Sequence, residues 1–165
     1  MEDKALLSTE VASGAEKAEL LIVIPAYNEA ENIERVVNHL TANFPQYDYV
    51  VVNDGSRDET AAICQRNGYN LLNLPVNLGL AGAFQAGLKY ADKYGYQYAV
   101  QLDGDGQHRP EYLESMIKKM EEDYDIVIGS RFVGEKKPFT MRMLGSNLIE
   151  MAIRFTTGVN IKDPT

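Results

Sequence analysis

Short apolar stretches alternate with amphipathic ones along the chain from Leu20 onward. The run 20–24 is continuously apolar and is closed by Pro25, which is typical of a strand buried on both faces of a parallel sheet. Four further runs of similar character follow and are also predicted to be strands. The five predicted strands are 20–24, 47–52, 69–74, 97–102 and 125–128.

The segments between these runs have the spacing of amphipathic helices. In the first of them, Ile33, Val37 and Leu40 recur at helical intervals, and acidic residues occupy the first turn. Ser56 or Asp58 is the predicted cap of the second helix. The predicted helices are 28–40, 57–65, 80–94, 110–120 and 141–155. Regular alternation of strands and helices predicts an α/β/α sandwich of the Rossmann-like type around a mostly parallel sheet.

The amino-acid composition favours a globular protein over a membrane or nucleic-acid-binding protein. The chain has 165 residues, of which 45% are hydrophobic and 24% charged, as expected for one soluble globular domain. We expect this domain to cover residues 20–165, preceded by a polar extension over residues 1–19, and no apolar run approaches the ~20 residues of a membrane-spanning helix. Acidic residues outnumber basic ones by 24 to 16, which argues against a nucleic-acid partner.

Cysteine usage bears on the compartment. Cys64 is the only cysteine, which excludes an intramolecular disulfide and any metal site built from several cysteines. A reducing, cytoplasmic location is the expectation that follows.

Polar residues are concentrated directly after three of the predicted strands. The carboxyl ends of parallel strands meet at one edge of the sheet, where ligands bind to open α/β folds, so these segments should converge there. Carboxylates brought together in this way require a cation or hydrogen-bond donors. The three segments are 25–29, 53–56 and 103–108.

Asp103 and Asp105 form a D-G-D tripeptide at this predicted edge. Carboxylate oxygens are the ligands that Mg²⁺ and Mn²⁺ prefer, particularly when a diphosphate completes the coordination. The position after a buried strand favours a metal site over a solvated turn. The same stretch partly imitates a calcium-binding EF-hand loop, but His108 stands where glycine is required and Pro110 interrupts the loop.

Other ligand classes lack their sequence signatures. The turn after the first strand has no G-x-G-x-x-G for dinucleotide binding, and the chain has no G-x-x-x-x-G-K-[ST] phosphate loop. With two histidines and no G-x-S-x-G turn, a serine-hydrolase triad is also disfavoured.

Five motifs in order resemble the family 2 glycosyltransferases of the GT-A fold, within the branch similar to dolichol-phosphate mannose synthase and bacterial polyprenyl-phosphate glycosyltransferases. The motifs are residues 24–29, 51–58, 77–83, 103–111 and 129–132. The resemblance implies a hexosyl transfer, with inversion and with Mg²⁺ or Mn²⁺, from a UDP- or GDP-linked sugar to an acceptor that is a lipid phosphate or a glycan. It also implies a role in cell-wall polysaccharide biosynthesis at the cytoplasmic face of the membrane.

The resemblance further implies a role for individual residues. For the nucleotide-sugar pocket, it points to Pro25, Ala26, Tyr27, Glu29, Asp54, Asn77, Gly79 and Asp103. For the metal it points to Asp105, with Asp103 and Gln107 as further ligands. Asp105 and Arg131 are the implied catalytic residues, and Arg131, Arg142 and Ser146 the implied contacts of an acceptor phosphate. Surface ion pairing is the competing interpretation of Arg131 and Arg142.

Two departures from the family pattern qualify this assignment. Asn53 precedes Asp54 where many relatives have two aspartates, and we expect the amide to tune the pocket. The sequence from Asp163 to Thr165 resembles the start of a further family motif, so we expect a C-terminal truncation that removes part of the acceptor side and any membrane anchor. A non-catalytic module that binds nucleotide-sugar or metal within a larger assembly is the alternative function.

Overall fold

The computed structural model describes residues 19–104, 110–122, 124–129, 151, 154 and 155. The chain divides into two compact units, residues 1–110 and 111–165. The strands of the first unit are β1 (Leu20–Ala26), β2 (Asp48–Asp54), β3 (Leu71–Leu74) and β4 (Tyr98–Gln101), and its helices are α1 (Ile33–Asn43), α2 (Thr60–Arg66) and α3 (Gly79–Lys93). A 3₁₀ turn (Pro110–Tyr112) precedes α4 (Leu113–Met120).

The four strands form one parallel sheet in the order β3-β2-β1-β4. β1 therefore lies between β2 and β4, and the side chains of all its residues are buried. Its pairing with β2 continues to Ala26, whereas its pairing with β4 ends at Val23. Pro25 thus lies beyond the paired part of β4, where a residue without an N–H group is tolerated.

Helix α3 covers one face of this sheet. Leu21 and Val23 of β1 belong to a buried cluster that includes Ala83 and Ala91 of α3. Gly87 allows the helix to approach the strand, because a methyl group at this position would overlap the side chain of Val23. Ala83, Gly87 and Ala91 therefore allow α3 to pack closely on the sheet.

The opposite face of the sheet is covered as well. Ile22 and Ile24 alternate with the residues that face α3, and both are fully buried. Helix α2 contacts β2 and β3, and α1 packs on α2 with Ile33, Val37 and Leu40 buried. The fold is therefore α/β with an all-parallel sheet and helices on both faces, which agrees with the predicted sandwich.

The first two helices begin later than predicted. Helix α1 starts at Ile33 instead of Asn28, and α2 starts at Thr60 instead of Arg57. Asn28 has a positive φ of 58°, in the left-handed region, so the helix cannot include it. The N-cap residue of α2 is Glu59, so the predicted caps, Ser56 and Asp58, are both wrong. Asp58 lies one residue earlier, and its carboxylate accepts a hydrogen bond from the Thr60 N–H group at 3.0 Å.

One predicted strand is wrong. Residues 125–128 have irregular backbone, and Ile126 and Ile128 are 76% and 69% exposed. An apolar run becomes a strand only when a neighbour satisfies its backbone groups, and these residues do not have strand conformation. Most of the predicted helix 141–155 lies outside the described residues.

Two further sequence expectations concern the chain as a whole. Among the described residues, no helix is both long and apolar enough to cross a bilayer. The predicted polar extension over 1–19 lies outside the described residues except for its last position.

The contact between Gly87 and Val23 predicts that Gly87→Ala destabilises the protein. The added methyl group overlaps a fully buried side chain, and overpacking of this kind costs roughly 1–3 kcal/mol, more than alanine gains in helix propensity. Urea unfolding measures the difference. Gln85→Ala, on an exposed turn of the same helix, is the control and should change stability little. A Gly87→Ala variant as stable as the wild type would contradict the proposed packing.

Candidate functional site

A cleft of about 450 Å³ opens at the carboxyl edge of the sheet in the first unit. It is formed by the carboxyl ends of β1 and β2, by the segments that follow β1 and β4, and by the N-terminal part of α3 with the residue Asn77 before it. Its lining residues are Pro25, Ala26, Tyr27, Glu29, Asp54, Asn77, Gly79, Leu80, Ala83, Asp103 and Gly104. The polar segments after three strands thus meet at one cleft, as parallel strands require.

All eight residues predicted for the nucleotide-sugar pocket line this cleft. They are Pro25, Ala26, Tyr27, Glu29, Asp54, Asn77, Gly79 and Asp103. Their roles in binding stay predictions. The other predicted site residues, Asp105, Gln107, Arg131, Arg142 and Ser146, lie outside the described residues.

Three carboxylates reach the cleft, and each accepts a hydrogen bond from another residue. Asn32 Nδ2 donates to Glu29 Oε2 at 2.9 Å. The Leu78 N–H group donates to Asp54 Oδ1 at 2.7 Å, and Gln101 Nε2 donates to Asp103 Oδ1 at 2.8 Å. Donors of this kind offset part of the mutual repulsion of the carboxylates.

Among the described residues, Asp103 is the predicted ligand of a divalent metal in the cleft. Within the described residues, no group of three histidine, cysteine or acidic side chains is placed to hold a metal ion. Asp103 nevertheless supplies a carboxylate of the type that Mg²⁺ and Mn²⁺ prefer, at the edge of the cleft. Its predicted partners Asp105 and Gln107 come two and four positions later in the chain, and the donor chemistry of this set fits such an ion.

Asp54 is the most deeply buried carboxylate of the cleft, with 3% of its surface exposed. The β3–α3 connection is fastened to it: Leu78 donates to its side chain, and Asn77 Nδ2 donates to its carbonyl oxygen at 3.1 Å. Gly55, with φ of 65°, permits this approach, since a Cβ atom there would lie 2.7 Å from the Asn77 nitrogen. The position of Asn77 in the cleft therefore depends on the end of β2.

Asn53 is not among the residues that line the cleft, and its expected influence on the pocket stays a prediction. Successive residues of a strand point to opposite faces, so Asn53 faces away from the side that Asp54 occupies. Its amide donates to Asn73 Oδ1 on the neighbouring strand at 2.6 Å. The amide at this position therefore links β2 to β3 and does not contact the cleft.

The turn after β1 has its backbone amides occupied by the protein itself. The N–H groups of Asn28, Glu29 and Ala30 donate to side-chain oxygens of Ser56, Thr60 and Asp58, at 3.0, 2.9 and 3.1 Å respectively. In dinucleotide-binding folds the corresponding turn presents its amides to a pyrophosphate. Here these amides already donate to protein side chains. This is a second reason, besides the missing glycines, to disfavour dinucleotide binding.

Several residues of the site were missed from the sequence. Gln101 orients Asp103, and their spacing of two along an extended segment places them on one face, a signal that could have found the pair. Leu80 and Ala83 line the cleft from the N-terminal part of α3, and neither was among the predicted site residues. The contact of Thr60 with Glu29 joins residues 31 positions apart and has no local signal.

The sequence profile of Glycosyl transferase family 2 matches residues 21–165. The chain belongs to this family. Its membership agrees with the cleft, whose walls come from the same segments that carry the family motifs.

The relatives of this chain include proteins named for sugar transfer to polyprenyl phosphates. It is 33% identical over 154 residues to a polyprenol monophosphomannose synthase of Mycolicibacterium smegmatis, covering 88% of this chain and 58% of that protein. It is 32% identical to an undecaprenyl-phosphate mannosyltransferase of Micrococcus luteus, covering 88% and 63%. The chain thus spans little more than half the length of these relatives.

The fold of this chain is also similar to a solved structure. Residues 1–349 of S. aureus TarS, in complex with UDP, superpose with a TM-score of 0.50 at 27% identity. The match covers 62% of this chain and 32% of the other. This likeness is consistent with the GT-A type of α/β fold that the sequence predicted.

The contacts of Asp58 predict a pH dependence of stability. Burial opposes the shift, but hydrogen bonds from Thr60 and Ala30 lower the pKa of Asp58 below its ordinary value of 3.8. A lowered folded-state pKa stabilises the fold above the unfolded value, and this contribution is lost as the pH falls through the folded value. Asp58→Asn should therefore be less stable than the wild type at pH 7, and the difference should shrink as the pH falls below 3.8.

Urea unfolding at several pH values measures this difference directly. The folded fraction of both proteins must first be checked at the lowest pH used. A difference between wild type and variant that is the same at pH 7 and at pH 3 would show that the charge of Asp58 contributes nothing.

Proposed function

We propose that this chain is the donor-binding part of a glycosyltransferase that moves a hexose from a UDP- or GDP-linked sugar to a polyprenyl phosphate. The observation that carries the proposal is the convergence of Asp54, Asn77 and Asp103 on one cleft with the segments after β1. The relatives named for polyprenol and undecaprenyl-phosphate sugar transfer support the acceptor class.

In the proposed complex, the base lies against the inner part of the cleft. Asp54 is suited to accept a hydrogen bond from an N–H group of the base, because Leu78 already fixes one of its oxygens and orients the carboxylate. Tyr27 and Leu80, 44% and 58% exposed, offer apolar surface for the base and the ribose. A single anchored acceptor with apolar walls is typical of small-ligand sites.

The diphosphate is proposed to lie toward Asp103. A bound Mg²⁺ or Mn²⁺ would neutralise the diphosphate and stabilise the charge that develops as it leaves. Asp103, with Asp105 and Gln107, would hold the ion, and Gln101 keeps the Asp103 carboxylate oriented. Such assistance is needed here because the cleft and the protein are both acidic, with a net charge of −8.

The chemical step is proposed to proceed with inversion. An oxygen of the acceptor phosphate attacks the anomeric carbon, and the bond from that carbon to the diphosphate breaks, with the electron pair leaving on the nucleoside diphosphate. A phosphate is anionic at neutral pH, so the attack requires no general base. Arg131, Arg142 and Ser146 are the residues proposed to hold the acceptor, and the proposed place of action is the cytoplasmic face of a membrane.

Replacement of Asp54 tests the base-binding role. Asp54→Asn retains an oxygen for the Leu78 N–H group but replaces the other acceptor with a donor, so affinity for UDP or GDP should fall on the order of tenfold or more. Isothermal titration calorimetry measures the affinity. Asp92→Asn removes an exposed carboxylate at the far end of α3 and should bind as the wild type does.

The outcomes of this titration separate the alternatives. Absence of binding of either nucleotide to the wild type would contradict the proposed function. Binding that survives in Asp54→Asn would contradict the assigned position of the base. If the chain binds nucleotide but neither hydrolyses the donor nor transfers its sugar to a polyprenyl phosphate, the result would instead support the non-catalytic module.

Removal of metal tests the proposed diphosphate site. EDTA should weaken the binding of UDP or GDP, and Mn²⁺ should restore it, whereas uridine or guanosine, which lack the diphosphate, should be unaffected by either. Asp103→Asn should reduce the Mn²⁺-dependent part of the affinity, since it removes a charged ligand. Equal affinity for the diphosphate with EDTA and with Mn²⁺ would contradict a metal-assisted site.

A further inference from the structure

Two loops at the carboxyl edge of the sheet are tied together by side chains outside the cleft. Three consecutive N–H groups, those of Asn28, Glu29 and Ala30, donate to residues 28 to 31 positions later in the chain. The acceptors are Ser56 Oγ, Thr60 Oγ1 and Asp58 Oδ2, and we call these three residues the loop clamp.

The clamp is reciprocal and internally connected. Asn28 Oδ1 accepts a hydrogen bond from the Arg57 N–H group at 2.9 Å, so bonds run in both directions between the loops. The Thr60 hydroxyl accepts from Glu29 and donates to Asp58 Oδ1, which joins two members of the clamp. Thr60 is fully buried, and this fixes its hydroxyl between the two loops.

The segment held by the clamp is the one that presents Tyr27 and Glu29 to the cleft. The left-handed conformation of Asn28, with φ of 58°, turns the chain between these two residues. A non-glycine residue keeps such a conformation only where surrounding contacts favour it. The hydrogen bonds of Asn28 to Ser56 and Arg57 are contacts of this kind.

We propose that Ser56, Asp58 and Thr60 are positioning residues for the donor, although none of them lines the cleft. They hold Tyr27 and Glu29 in the geometry that receives the nucleotide, and they occupy amides that would otherwise compete for its diphosphate. The inference rests on the proposed function, since it assigns to these residues a role in the affinity of the same site.

Thr60 offers a matched pair of variants for the test. Thr60→Val has nearly the same shape but removes both hydrogen bonds of the hydroxyl, whereas Thr60→Ser retains the hydroxyl. The affinities of the 165-residue chain for UDP and GDP are measured by calorimetry well below the melting temperature of each variant. Amide hydrogen exchange over residues 27–30 reports the order of the loop.

Thr60→Val should bind the nucleotide that the wild type binds roughly tenfold more weakly, and the amides of residues 28–30 should exchange faster. Thr60→Ser should restore both properties, which a general loss of stability would not explain. Should Thr60→Val fail to fold, Asp58→Asn replaces it in the test, because Asp58 is exposed and its Oδ2 atom accepts from the Ala30 N–H group. Nucleotide affinity and exchange of the Ala30 amide are then measured in this variant.

Three results would overturn the inference. Wild-type affinity in Thr60→Val would show that the clamp does not position the donor, while the proposed function would stand. Weakened binding in both Thr60→Val and Thr60→Ser would show that the hydroxyl is not the cause. Absence of nucleotide binding to the wild type would remove the proposed function, and the positioning role with it.

Discussion

The carboxyl ends of parallel strands must lie at one edge of their sheet, and the site depends on this constraint. β1 is buried on both faces and is paired on both sides, so its direction fixes those of β2 and β4. Asp54 and Asp103 are 49 positions apart in sequence, but they follow strands that flank β1 and therefore open onto one cleft. The apolar core thereby determines where the acidic residues meet.

The acidic edge that results is stabilised in a particular way. Bringing like charges together costs free energy, and each described carboxylate of the cleft recovers part of it through a hydrogen bond from Asn32, Leu78 or Gln101. Each donor engages one carboxylate oxygen and also restricts its orientation. The hydrogen bonds that reduce the repulsion among these carboxylates thus also fix the positions of their oxygens. The same contacts stabilise the acidic edge and preorganise it for a ligand.

Local patterns in the sequence were sufficient wherever burial decided the structure. The apolar run 20–24 predicted β1 correctly because every one of its residues is buried in the fold. The polar segments after the strands predicted the position of the cleft. The pattern failed where pairing over long separations decides. Residues 125–128 have the composition of a strand but an irregular backbone, and Asn28 was predicted to begin α1 but lies before it, hydrogen-bonded to Ser56 and Arg57.

The turn after β1 shows how one α/β architecture excludes another ligand class. A glycine-rich turn leaves its amides free, and the helix dipole behind them then favours a pyrophosphate. In this chain the carboxylate of Asp58 and the hydroxyls of Ser56 and Thr60 occupy those amides from within. An anionic ligand approaching this turn would have to displace a carboxylate already in place. A pyrophosphate is therefore disfavoured at this turn, whereas Asp103 offers a carboxylate to a cation at another part of the described cleft.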